Sequence, residues 1–135
     1  NKVAMSLSDL FCVERHKAHF LELAKNKLDI IFANEQEIIS LIDASSFEET
    51  IAFSKQIKKN VVITRGDKGA LSILNDELIE CEAQKNLEIK DLTGAGDLFA
   101  AGYLHGYINK LSTKQCLKKG TELSSKIIQR IGARI

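Results

Sequence analysis

Asp91-Leu92-Thr93-Gly94-Ala95-Gly96-Asp97-Leu98-Phe99-Ala100-Ala101-Gly102 places two glycines around an alanine, an acid directly behind them and the opening of an apolar helix. Small residues at 94 to 96 let backbone N–H groups come close to a ligand. The amides of a helix's first turn have no partner within the helix, so both features draw an anion, most simply a phosphate. An aspartate beside that anion suffers like-charge repulsion, which makes chemical sense where its carboxylate takes a proton from an attacking hydroxyl. Asp97 is therefore the candidate base, and Gly94, Ala95 and Gly96 are the candidate anion hole. The plainer reading is a glycine turn leading into a helix, with Asp97 complementing the helix dipole. Two standard glycine motifs are excluded: the chain has no GxxxxGK[ST], and Phe99 stands where a dinucleotide fingerprint needs its third glycine.

Two segments upstream carry further polar patterning. In Asn34-Glu35-Gln36-Glu37, the oxygens of Asn34 and Glu37 suit a hard cation such as magnesium. The same residues read as an N-cap and its capping box, since Glu37 follows three positions after an asparagine at a strand end; both readings hold at once. Thr64-Arg65-Gly66-Asp67-Lys68-Gly69 reads as a strand-to-strand turn supplied by two glycines. Arg65 there is either a phosphate-reaching cation or a solvated turn residue.

Taken in order, these segments resemble the ribokinase-like (PfkB) family of carbohydrate and nucleoside kinases. The DTxGAGDxFxxG motif is matched at Asp91, Thr93, Gly94, Ala95, Gly96, Asp97, Phe99 and Gly102, the NxxE motif at Asn34 and Glu37, and the TxGxxG turn at Thr64, Gly66 and Gly69. The resemblance implies an ATP-dependent phosphotransferase of layered α/β fold, a ribokinase-like sheet with flanking helices. It implies an anion hole at Gly94 to Gly96, Asp97 as base, and Asn34 and Glu37 organising Mg2+ through water. Thr64, Gly66, Gly69 and Thr93 would lie near the nucleotide, and carbonyls around Asp91 and Thr93 would hold a monovalent cation such as K+. Ser6-Leu7-Ser8-Asp9, Phe11-Cys12-Val13-Glu14-Arg15-His16 and the closing Ile131-Gly132-Ala133-Arg134 look like the adenosine-kinase-like branch of bacterial members, where residues before the final Gly-Ala line the adenine pocket.

In that family every matched motif belongs to the C-terminal half, so residues 1–135 are expected to be the nucleotide-binding and catalytic part of a kinase domain whose substrate and lid half is absent. Such a piece alone has little means to hold an acceptor and is expected to be inactive. An interrupted sheet would leave an edge and an apolar face, met by partial exposure or by pairing with another chain, a homodimer being one such form. The acceptor implied is a small-molecule sugar or nucleoside, adenosine-like by the terminal segments. The rivals are a free-sugar kinase of ribose or fructose type, or a non-catalytic nucleotide-binding module if the short chain is the natural product.

Composition points to a cytoplasmic protein: 44% hydrophobic, 27% charged, net charge +1, no Trp, no Pro and no apolar run long enough to cross a membrane. Lys55, Lys58, Lys59, Lys118, Lys119 and Lys126 are scattered, the pattern of solvated helix faces and not of a nucleic-acid surface. Cys12, Cys81 and Cys116 have neither CxxC pairing nor a histidine in ligand spacing, which suits reduced structural thiols. His16 and His19 lack a third ligand and read as a helix-surface pair.

Apolar runs alternate with helical patterns, which predicts a mainly parallel sheet. Strands are expected at Val3 to Leu7, Asp29 to Ala33 and Val61 to Thr64, and helices at Lys17 to Asn26, Glu35 to Ile42 and Phe47 to Lys59. The crossover into Val61 to Thr64 should be right-handed, with ligands at the strands' C-terminal ends. Gly69 to Leu74 and Glu77 to Cys81 flank Asn75-Asp76 as a hairpin, making the sheet mixed. The helix from Gly94 to Ile108 is expected to pack through Leu98, Ala101, Gly102 and His105. A last helix from Thr113 to Ile131 carries the stripe Leu117, Gly120, Leu123, Ser124, Ile127 and Ile131.

Overall fold

The run Ile30-Ile31-Phe32-Ala33 offers no polar position for a half-exposed strand. In a computed structural model, which describes residues 3–7, 14–74, 76–82 and 95–128 (without the side chains of 67, 95–97 and 125–128), it forms β2 (Ile30–Asn34), buried up to the exposed Asn34. The equally apolar β3 (Asn60–Thr64) is buried up to the half-buried Thr64. Successive residues of a strand point to opposite faces, so burial of consecutive positions means that both faces are covered, as in interior parallel strands. The expected bare apolar face is therefore absent from β2 and β3.

β1 (Ala4–Ser6) runs parallel to β2, and β2 parallel to β3. The first crossover contains α1 (Lys17–Asn26); the second contains α2 (Glu35–Ile42) and α3 (Phe47–Ile57). α2 packs against both α1 and α3 and against β2 and β3. Helices α2 and α3 stop locally: Asp43 and Lys58 adopt left-handed conformations, φ 52 and φ 57, that end the helical hydrogen bonding. At the start of α3, the Ser45 N–H and hydroxyl donate to Glu49 at 2.7 and 2.9 Å and hold its carboxyl below the ordinary value.

The full strand order is β1-β2-β3-β4-β5, with β4 (Ala70–Leu74) and β5 (Glu77–Cys81). Residues 65–69 and 75–76 are too few for a crossover, so both added strands join antiparallel and the sheet is mixed, as the sequence predicts. Asp76 takes φ 67 in the hairpin connection, while Asn75 lies outside the described residues. A buried hydrogen bond of 2.6 Å from the Ser72 hydroxyl to the Asn60 side-chain oxygen ties β4 to β3.

The chain divides into two compact units, residues 1–64 with 72–78 and residues 65–71 with 79–135. The second holds the helical hairpin α4 (Ala95–Ile108) and α5 (Thr113–Ile128). Of the face expected for α4, Gly102 is buried and Leu98 half-buried, but the other two positions are not. Ala101 and His105 are exposed, and the buried positions are Phe99, Gly102, Tyr103 and Gly106, spaced i, i+3, i+4, i+7. The sequence of α4 is apolar nearly all round, so hydrophobicity does not choose its face; the glycines do, by admitting α5. A Cβ on Gly102 would lie 2.7 Å from the Lys119 carbonyl oxygen and 2.9 Å from the Gly120 Cα. On α5 the stripe begins as expected, with Leu117 and Gly120 buried and Leu123 and Ser124 half-buried; the side chain of Ile127, and Ile131 entirely, lie outside the description. Cys81 and Cys116 are buried free thiols, and burial pushes the Cys116 thiol up; Cys12 lies outside the described residues.

Candidate active site

In the first unit the structure brings Asn34, Glu37 and Thr64 together. Asn34 ends β2 and Thr64 ends β3, and strand register sets them directly opposite each other at the carboxyl ends of two parallel strands. That is where ligands gather in open α/β sheets. Asn34 is also the N-cap of α2: its side-chain oxygen accepts the Glu37 N–H at 2.7 Å, and Glu37 Oε1 accepts the Asn34 N–H at 2.9 Å. The capping box read from the sequence is thus present. Glu37 is 5% exposed, whereas Asn34 is exposed at the rim. One oxygen from each side chain is committed to a backbone N–H and the carboxylate is buried, so this donor set fits a hydrated magnesium ion reached through water and not a directly bound one.

The second unit contains the turn that follows Thr64 in the chain. Gly66–Lys68 form a 3-10 turn, closed by Arg65 N–H to Gly69 O at 2.8 Å and Gly69 N–H to Gly66 O at 3.1 Å. Both glycines use backbone freedom that other residues lack: Gly66 has φ 61, and Gly69 has φ 97 with ψ −146. Arg65 is half-buried at the head of this turn.

The same unit contains α4, which carries Asp97. The backbone of Ala95, Gly96 and Asp97 is helical, part of α4 from its first described residue. Asp91, Thr93 and Gly94 lie outside the described residues, as do the Ser8–Asp9 and Ile131–Arg134 segments. His16 and His19 are both exposed on the surface of the first unit, and among the described residues no three His, Cys, Asp or Glu side chains are placed to hold a metal. No described helix is long and apolar enough to cross a membrane.

Sequence reasoning missed the packing role of Gly106, and it read Gly120 as ordinary core. The signal was available: a glycine inside a helical run with no turn to make marks close packing.

The chain matches the profile described as pfkB family carbohydrate kinase over residues 4–135. It is 33% identical over 110 residues to a cytidine kinase of Thermococcus kodakarensis, covering 79% of this chain and 39% of that one. It is 31% identical over 121 residues to an adenosine kinase of Dictyostelium discoideum, covering 80% and 36%. Among solved structures, a probable sugar kinase from Rhizobium etli superimposes with a TM-score of 0.95 at 39% identity over 99% of this chain and 41% of that one. An adenosine kinase from Sinorhizobium meliloti superimposes with a TM-score of 0.96 at 35% identity, covering 100% and 42%. The expected ribokinase-like fold is therefore met. The chain spans about two fifths of the length of these relatives. The matches give this share of their length and do not bear out the expectation that the stretch is their C-terminal part.

Proposed function

Because the chain belongs to the pfkB family of carbohydrate kinases, we propose that it serves transfer of the γ-phosphoryl group of ATP to an alcohol of a nucleoside or sugar. The observation that carries this reading is the helical backbone of Ala95, Gly96 and Asp97 in α4, which carries Asp97 on a rigid element beside the Gly94-Ala95-Gly96 run. In the reaction, the acceptor oxygen forms a bond to the γ-phosphorus while the bond from that phosphorus to the β,γ-bridging oxygen breaks, and ADP leaves. Asp97 takes the hydroxyl proton, and the amides of Gly94, Ala95 and Gly96 stabilise negative charge on the moving group. Asn34, held by Glu37, is the residue at the strand end that would meet the water shell of magnesium; the cation, when bound, neutralises phosphate charge. Thr64, Gly66, Gly69 and Thr93 are assigned to the nucleotide, and the carbonyls around Asp91 and Thr93 to a monovalent cation such as K+.

The acceptor we favour is a nucleoside, supported by the likeness to an adenosine kinase and a cytidine kinase. A free sugar is the second reading, favoured by the 39% identity to a probable sugar kinase. ADP release by the complete protein, offered adenosine, cytidine, ribose and fructose in turn, separates them. Turnover confined to nucleosides is expected; turnover with a free sugar alone would replace the first reading by the second, and none with any acceptor would refute both.

A further inference from the structure

The helical hairpin of the second unit is joined at a contact between two glycine backbones, and that contact lies close to the proposed base. A Cβ on Gly120 of α5 would stand 2.8 Å from the Phe99 carbonyl oxygen and 3.0 Å from ring atoms Cδ2 and Cε2 of Phe99. Real Cβ atoms do not tolerate such separations, and the first obstacle is backbone, which cannot swing aside as a side chain can. Phe99 follows Asp97 by two residues in the same helix, so a methyl group at Gly120 presses on the peptide frame of the turn that carries Asp97. Gly102 meets α5 from the other side of the same crossing, against the Lys119 carbonyl and Gly120.

Gly106 offers an internal contrast. It is buried in the same hairpin, but its added Cβ would meet Cys116 Sγ at 3.1 Å and Cys116 Cα at 3.2 Å, looser contacts set nine residues beyond Asp97. At 1.5 Å rise per residue that is more than two turns, about 13 Å, along the helix.

We propose that Gly120, outside every motif of the sequence, is a positioning residue for Asp97: the Gly102–Gly120 crossing seats α4 at the depth that sets the turn carrying Asp97. This rests on the reading of Asp97 as the base. Removing that seat tilts the turn of α4 that carries Asp97 and misplaces the base without altering its chemistry, so turnover falls while nucleotide affinity is kept.

The test compares Gly120→Ala, Gly106→Ala and Asp97→Asn in the complete protein, with kcat and the KM for ATP scaled to the folded fraction seen by circular dichroism. Gly120→Ala is expected to lower kcat about ten- to a hundredfold, the scale of a misplaced reacting group, with the KM for ATP changed less than about twofold. Gly106→Ala is expected to keep kcat within about twofold of the unsubstituted protein. Equal kcat for the two glycine variants would overturn the proposal, and so would a Gly120→Ala effect confined to the KM for ATP. Should Gly120→Ala accumulate no folded protein, Gly102→Ala enters the same comparison. If neither folds while Gly106→Ala does, the crossing is a requirement of the fold and not of the base's position, and the proposal is overturned. Full turnover by Asp97→Asn would instead remove the base reading itself, a separable failure.

Discussion

Gly69 sits at φ 97 and ψ −146, a conformation that side-chain-bearing residues scarcely enter, and it closes the turn between β3 and β4 through its carbonyl bond to Arg65. Gly66 in the same turn has φ 61 with open space where a Cβ would go, so only backbone strain opposes a substitution there. Gly69→Ala is expected to cost about 1–3 kcal/mol of unfolding free energy, and Gly66→Ala about 1–2 kcal/mol; urea unfolding of the complete protein measures both. Equal stability of Gly69→Ala and the unsubstituted protein would contradict the assigned backbone. The turn is legible in the sequence because glycine pairs announce it, and the capping box of Asn34 and Glu37 is legible because its members are three residues apart. The pairing of Asn34 with Thr64 is not legible, since it depends on strand register, which no local pattern contains.

Among the elements, the predicted Lys17–Asn26 and Glu35–Ile42 helices match the observed α1 and α2, and α2 is bounded by the Asn34–Glu37 capping box and the left-handed Asp43. α3 ends two residues before the expected Lys59, where Lys58 adopts φ 57 and ψ 36 as an exposed left-handed cap. A glycine there avoids the Cβ clash, so Lys58→Gly should raise the unfolding free energy by up to about 1 kcal/mol. A lowered urea midpoint would count against the cap assignment. Part of the face of α4 escaped the sequence reading for a physical reason. Periodicity finds a helix's buried side by contrast between apolar and polar positions, and α4 has little contrast; its packing is decided by how near another backbone can come. Glycines at 102, 106 and 120, which a count of hydrophobic residues discounts, set that approach.

For the molecule as a whole, the alternation of strands and helices was enough to anticipate a mixed sheet, parallel over β1 to β3, and the motif order was enough to anticipate the family. The acceptor was not legible, because the residues that read as chemistry here attend to a phosphate, a nucleotide and a proton, none of which distinguishes a nucleoside from a sugar. The central claim is that Asp97 removes the acceptor's proton during phosphoryl transfer. Its most direct measurement is single-turnover phosphoryl transfer by Asp97→Asn in the complete protein, together with ATP affinity by calorimetry. An amide cannot take the proton, so the rate should fall about 10²- to 10⁴-fold while ATP binding stays within a few-fold. A transfer rate close to that of the unsubstituted protein would contradict the assignment of Asp97 as the base.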